Sequence, residues 1–87
     1  MVSQLVKITN LTGLSVRPAG NLCTEAMKYK SKITFEHKGS VSNVKSVLSV
    51  LGACIKLGDE ITLICEGEDE VEALNALTAY IVSGLED

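Results

Sequence analysis

The chain has 87 residues and a mass of 9.3 kDa, room for one core with a radius of gyration of roughly 12 Å, so a single domain over residues 1–87 is predicted and a multidomain enzyme is excluded. Eight Lys and Arg against 11 Asp and Glu leave a net charge of −3, which does not supply the broad basic surface that phosphate-backbone binding needs; no direct nucleic-acid contact is expected. Apolar residues make up 46% of the chain, but with no Trp, one Phe and two Tyr the core must be aliphatic and stacking platforms for bases or sugars are scarce.

In chain order, Val2, Ser3 and Gln4 stand where a signal peptide would carry basic residues. From Gln4 to Thr9 the residues alternate, Val6 and Ile8 on one face and Leu5, Lys7 and Thr9 on the other, which predicts a half-buried strand. Asn10 to Gly13 reads as a loop. Between Val16 and Lys28 the positions Ala19, Leu22, Cys23, Ala26 and Met27 form one helical stripe, with Ser15 placed to cap it and Pro18 in the first turn, where the missing N–H loses little. Gly20 interrupts that helix at a cost of about 0.5–1 kcal/mol relative to Ala, indicating either loosened packing or close approach of a partner there.

Lys32 to His37 alternates again, and Lys38-Gly39 before Ser40 to Val44 predicts a short hairpin. Ser46 precedes Val47, Val50, Leu51 and Cys54 at helical spacing, and Leu48 and Ile55 widen the stripe beyond what a core contact needs, so part of it is expected at the surface. The run Val47 to Ile55 is about half a membrane span. Gly58-Asp59 marks a turn, after which Ile61, Leu63 and Cys65 alternate as a fourth strand. Asp69 and Glu72 resemble a capping box opening a last helix with Val71, Leu74, Leu77, Ile81 and Leu85 on its apolar side. The order strand, helix, strand, strand, helix, strand, helix predicts an α+β fold: a four-stranded antiparallel sheet covered on one face by three helices.

Chemistry-bearing residues are sparse. Cys23, Cys54 and Cys65 are odd in number and lack C-x-x-C spacing, so they are expected to be core fillers in a reducing cytosol rather than a disulfide or zinc framework. His37 is the single histidine, with no partner visible for acid–base work and the strand parity of a partly buried residue. No nucleotide-binding glycine loop is present, and no metal or cofactor is expected. Ser15 and Ser46 both stand at predicted helix starts, where backbone amides and the helix dipole favour a phosphate. An ordinary N-cap, worth about 1 kcal/mol, explains either one taken alone.

The segment Thr12-Gly13-Leu14-Ser15-Val16-Arg17-Pro18-Ala19 resembles the active-centre signature of the HPr family, phosphocarriers of the bacterial sugar phosphotransferase system, whose usual form is G-L-H-x-R-P-A. Only the histidine is missing. Asn43-Val44-Lys45-Ser46-Val47-Leu48 is similar to the regulatory serine segment of Gram-positive members, and Glu66-Gly67-Glu68-Asp69-Glu70 continues the match, so the resemblance covers essentially the whole chain.

In that family a phosphoryl group passes from Enzyme I to the active-centre histidine and on to an Enzyme II component, assisted by the neighbouring arginine. The resemblance carries over Arg17 but places Ser15 at the histidine position. A phosphoimidazole is a reactive donor, whereas a serine phosphate is a stable ester, and an unactivated hydroxyl needs a base. Transfer through Ser15 is therefore not expected.

What remains is the regulatory half, as in the Crh-like branch that lacks the histidine. HPr kinase/phosphorylase would modify Ser46, and the product would bind a catabolite-control transcription factor through the phosphate and the surface of Thr12, Val47, Leu48 and Leu51. The expected location is cytoplasmic, with no membrane partner. Two alternatives stay open: a working carrier between Enzyme I and Enzyme II whose histidine has been replaced by Ser15, and an unmodified binding module on the same fold.

Overall fold

The computed structural model describes residues 1–85. The elements are β1 (Val2–Lys7), α1 (Val16–Ala26), β2 (Lys32–His37), β3 (Ser40–Asn43), α2 (Val47–Gly52), β4 (Glu60–Glu66) and α3 (Glu70–Val82). The strands form one antiparallel sheet in the order β1-β4-β2-β3. Its register sets Val6 opposite Ile61, Ile33 opposite Cys65, and Phe35 opposite both Leu63 and Ser42. Strand parity therefore gathers one continuous apolar face, which the helices cover.

The core under the helices is aliphatic as predicted, with Ile8, Leu22, Ile33, Ile61, Leu63, Leu77 and Ile81 fully buried around the single Phe35. The Cα radius of gyration is 11.2 Å. The opposite face of the sheet is uncovered and leaves Leu5 and Val41 exposed. No helix among the described residues is long and apolar enough to cross a membrane.

Several sequence expectations change in detail. α1 ends at Ala26, so Met27 leaves the predicted stripe and is 63% exposed. α2 closes after six residues, which puts Cys54 beyond it in a left-handed conformation (φ 55°). Its thiol is then at the surface and Cys54 is not a core filler, whereas Cys65 is buried and Cys23 half-buried. Ile55, rather than widening the α2 stripe, turns inward from the loop and is buried.

In α3 the buried side is Ala73, Leu77 and Ile81, while Val71 is exposed and Leu74 half-buried. The expected capping box does not form, since Asp69 makes no side-chain cap bond. Its carboxylate instead accepts from the backbone amides of Lys30 and Ser31, each at 2.9 Å, and from the Ser31 hydroxyl, joining the start of α3 to the entry of β2. Glu70, not Glu72, reaches back to the Gly67 amide at 3.1 Å.

Around Gly20 a Cβ would meet no atom within 4 Å, which rules out a close approach within the fold.

Candidate functional site

The approach to α1 is a tied loop. The Gly13 amide donates to Asn10 O at 3.2 Å, and Asn10 Nδ2 returns a bond to Gly13 O at 2.7 Å. Gly13 adopts φ 61°, and a Cβ there would lie 2.4 Å from Ile55 O, so the loop can press against the segment after α2 only with glycine. Leu14 is buried and donates its amide to Ile55 O at 3.0 Å.

Ser15 follows this anchor as the N-cap residue, extended at φ −75° and ψ −174°. Its carbonyl accepts from Ala19 at 2.9 Å, but its hydroxyl makes no cap bond, contrary to the expected side-chain cap. Ser15 is exposed, as are Thr12 and Arg17. With Asn10 and Pro18 they line an open depression of about 610 Å³. Such a surface, with helix-terminal amides and a guanidinium on one side, can hold an anion. Among the described residues its lining includes no imidazole or carboxylate to take a proton from the Ser15 hydroxyl.

The start of α2 is built differently. Ser46 Oγ accepts from the Ser49 amide at 3.2 Å, the predicted cap. Ser49 Oγ in turn accepts from the Asn43 amide at 2.9 Å, and Asn43 Oδ1 accepts from Lys45 N at 3.0 Å. This turn fixes the half-buried Ser46 at the positive end of the helix. Lys45 Nζ donates to Tyr29 O at 2.7 Å, so that ammonium ties α2 to the segment before β2.

Of the apolar residues predicted for a partner surface, Leu48 is 82% exposed, while Val47 and Leu51 are half-buried against the core. α1 and α2 pack on each other, and the shared bond to Ile55 O couples the Ser15 loop to the end of α2.

His37 lies elsewhere, half-buried at the end of β2, with a partner the spacing did not reveal: Asp59 Oδ2 is 3.6 Å from its Nε2. Both residues sit at turns, so only the folded sheet brings them together. Among the described residues no group of three or more His, Cys, Asp or Glu side chains could hold a metal ion.

Among the described residues, three groups away from Ser15 and Ser46 have shifted titration. The Ser31 hydroxyl, then the Lys30 and Ser31 amides, hold the Asp69 carboxyl below its ordinary range. Glu70 is lowered by the Gly67 amide and by the N-terminal ammonium at 3.1 Å. Burial, reinforced by Asp69 and Glu70, pushes the Cys65 thiol up.

Residues 2–83 match the family model for the PTS HPr component phosphorylation site. The HPr-like protein Crh of Bacillus subtilis (strain 168) is 41% identical over 81 residues, 93% of this chain and 95% of Crh. The crystal structure of HPr-C-His from Thermoanaerobacter tengcongensis superposes with a TM-score of 0.95 at 34% identity, covering 100% of this chain and 99% of that one. The solution structure of Crh, the Bacillus subtilis catabolite repression HPr, gives a TM-score of 0.68 at 40% identity, covering 92% and 95% of the two chains. Sequence motifs, sheet order and these likenesses agree, and the chain belongs to the HPr family.

Proposed function

We propose that this chain is a noncatalytic regulatory member of the family, acting in the cytoplasm as one domain, with partner binding set by phosphorylation of Ser46. The observation that carries this reading is the contrast between the two helix starts. At Ser15, where the family places its phosphohistidine, a bare hydroxyl faces a depression whose described lining has no general base. A phosphate formed there would be an alkoxide-linked ester, too stable to pass to an Enzyme II component.

At Ser46 the hydroxyl is held by the Ser49 amide at 3.2 Å, beside exposed Leu48. Phosphorylation adds roughly −1.5 to −2 charges and three acceptor oxygens at the positive end of a helix. The product offers an Arg-bearing protein both a charge-assisted contact and an apolar one. HPr kinase/phosphorylase as the modifying enzyme and a catabolite-control transcription factor as the reader fit this surface. The likeness to the Bacillus subtilis catabolite repression HPr supports the same assignment.

The test is treatment with HPr kinase/phosphorylase and ATP beside a control HPr. One phosphate is expected on Ser46, absent from the Ser46→Ala chain, and only the modified chain should bind the transcription factor. An unlabelled chain under conditions that label the control would contradict the proposal.

A further inference from the structure

The sheet face turned away from the helices is unpartnered, and the strand register fixes what stands on it. One row across the sheet is Leu5, Thr62, Glu36 and Val41, and the next is Ser3, Ile64, Thr34 and Asn43. Beyond one end of these rows Lys7 stands opposite Glu60, and beyond the other Lys32 stands opposite Glu66. Leu5 and Val41, on the two outer strands, are 58% and 66% exposed, and Ile64 is half-buried between them. Lys32 and Glu66 are both exposed, yet among the described residues neither is in an ion pair, although they are cross-strand neighbours.

A small apolar centre with charges of both signs at its two ends is suited to a partner carrying the same pattern reversed. Two copies of the sheet, packed face to face with strands aligned, are related by a two-fold axis that runs either across the strands or along them. An axis across the strands lays each strand on its own copy, so Glu60 faces Glu66 of the second copy and like charges repel. An axis along the strands reverses their order, laying β1 over β3 and β4 over β2 of the second copy. Leu5 then meets Val41, Ile64 meets Thr34 and Glu66 meets Lys32, each twice by symmetry. In the same arrangement Glu60 faces the hairpin tip that carries Lys38, and Glu36 faces Thr62 with Lys7 of the second copy diagonal to it.

We infer that the open sheet face is a self-association surface, on which a second copy of this chain docks about a two-fold axis parallel to the strands. Four strands about 4.8 Å apart and about 20 Å long make a face of roughly 400 Å². Two such faces bury about 800 Å² in all, the size of a weak, concentration-dependent contact. The charge pairs set its register, and the apolar pairs supply its contact. Because the helices lie on the other side of the sheet, Ser46 and exposed Leu48 of both copies stay accessible.

The test is sedimentation equilibrium of the full chain from roughly 20 μM to 1 mM, the range in which so small an interface is populated. A monomer–dimer equilibrium is expected, weakened by added salt. Lys32→Glu and Glu66→Lys should each weaken it by roughly tenfold or more, because both symmetry-related pairs become like charges. An equimolar mixture of the two variants should associate about as tightly as the native chain, since each supplies the charge the other lacks; that recovery also shows that both variants are folded. Lys28→Glu, a change of the same size at the end of α1 and off this face, should leave the equilibrium unchanged.

A chain that stays monomeric at about 1 mM, single charge reversals without effect, or a mixture no tighter than either variant alone would each overturn the inference. So would a dimer weakened equally by Lys28→Glu. The Ser46 proposal is read separately, from a phosphate on the chain, and stands or falls independently of these outcomes.

Discussion

At the scale of single residues, Gly13 decides whether the Ser15 loop can sit where it does. A methyl group there would lie 2.4 Å from Ile55 O and 2.7 Å from Lys56 Cα, on top of an unfavourable positive φ. Gly13→Ala is expected to cost at least roughly 1–3 kcal/mol, read as a lower urea midpoint. Gly20 is the opposite case, because its missing Cβ faces open space inside a helix. Gly20→Ala should stabilise the chain by about 0.5–1 kcal/mol, and a loss of stability would contradict the open space found at that position.

Asp69 adds a pH dependence of known sign. Its carboxylate is held ionised by Ser31 and Lys30, so its folded pKa lies below the unfolded value of about 3.9. The contribution is complete above the unfolded pKa and is lost as pH falls through the folded one, because the unfolded chain then binds the proton first. The stability gap between the native chain and Asp69→Asn should be flat near neutrality and close below about pH 4. A gap that persists unchanged through acid would contradict this origin.

At the scale of elements, the strands were legible because their period of two is rigid: Val6 with Ile8, Ile33 with Phe35, and Ile61 with Leu63 and Cys65 all face the core as the alternation requires. Helix faces were less so. Val71 and Leu74 looked like core positions by hydropathy, but α3 turns Ala73, Leu77 and Ile81 inward, leaving Leu74 partly buried against the core and Val71 exposed. The Asp69-x-x-Glu72 pattern reads as a local cap, yet the carboxylate finds better donors 38 and 39 positions away, in Ser31 and Lys30, a competition no local pattern encodes.

α2 is the element on which the proposed regulation rests. Ser46→Ala removes the acceptor for the Ser49 amide and should cost about 1 kcal/mol, while Ser46→Asp keeps an acceptor and should cost less. Leu48→Lys, at a side chain 82% exposed, should change stability by less than about 0.5 kcal/mol yet weaken transcription-factor binding by the modified chain. Unchanged binding in a pull-down would remove Leu48 from the partner surface.

At the scale of the molecule, element order, the antiparallel sheet and its one-sided helix layer all followed from periodicity and turn signals. The candidate residues of the two helix starts followed from motif resemblance. What neither showed was the long-range wiring: Leu14 to Ile55, Lys45 to Tyr29, and His37 beside Asp59. These contacts join residues that are distant in the chain and chemically ordinary, so they exist only once the sheet has formed.

The whole-molecule claim is that a family scaffold has kept its regulatory serine while its carrier position can no longer relay phosphate. Incubation with phosphoenolpyruvate and Enzyme I, beside a Ser15→His version of the same chain, tests it most directly. The account predicts acid-labile phosphate on the histidine version alone; acid-labile phosphate on the unaltered chain would contradict it.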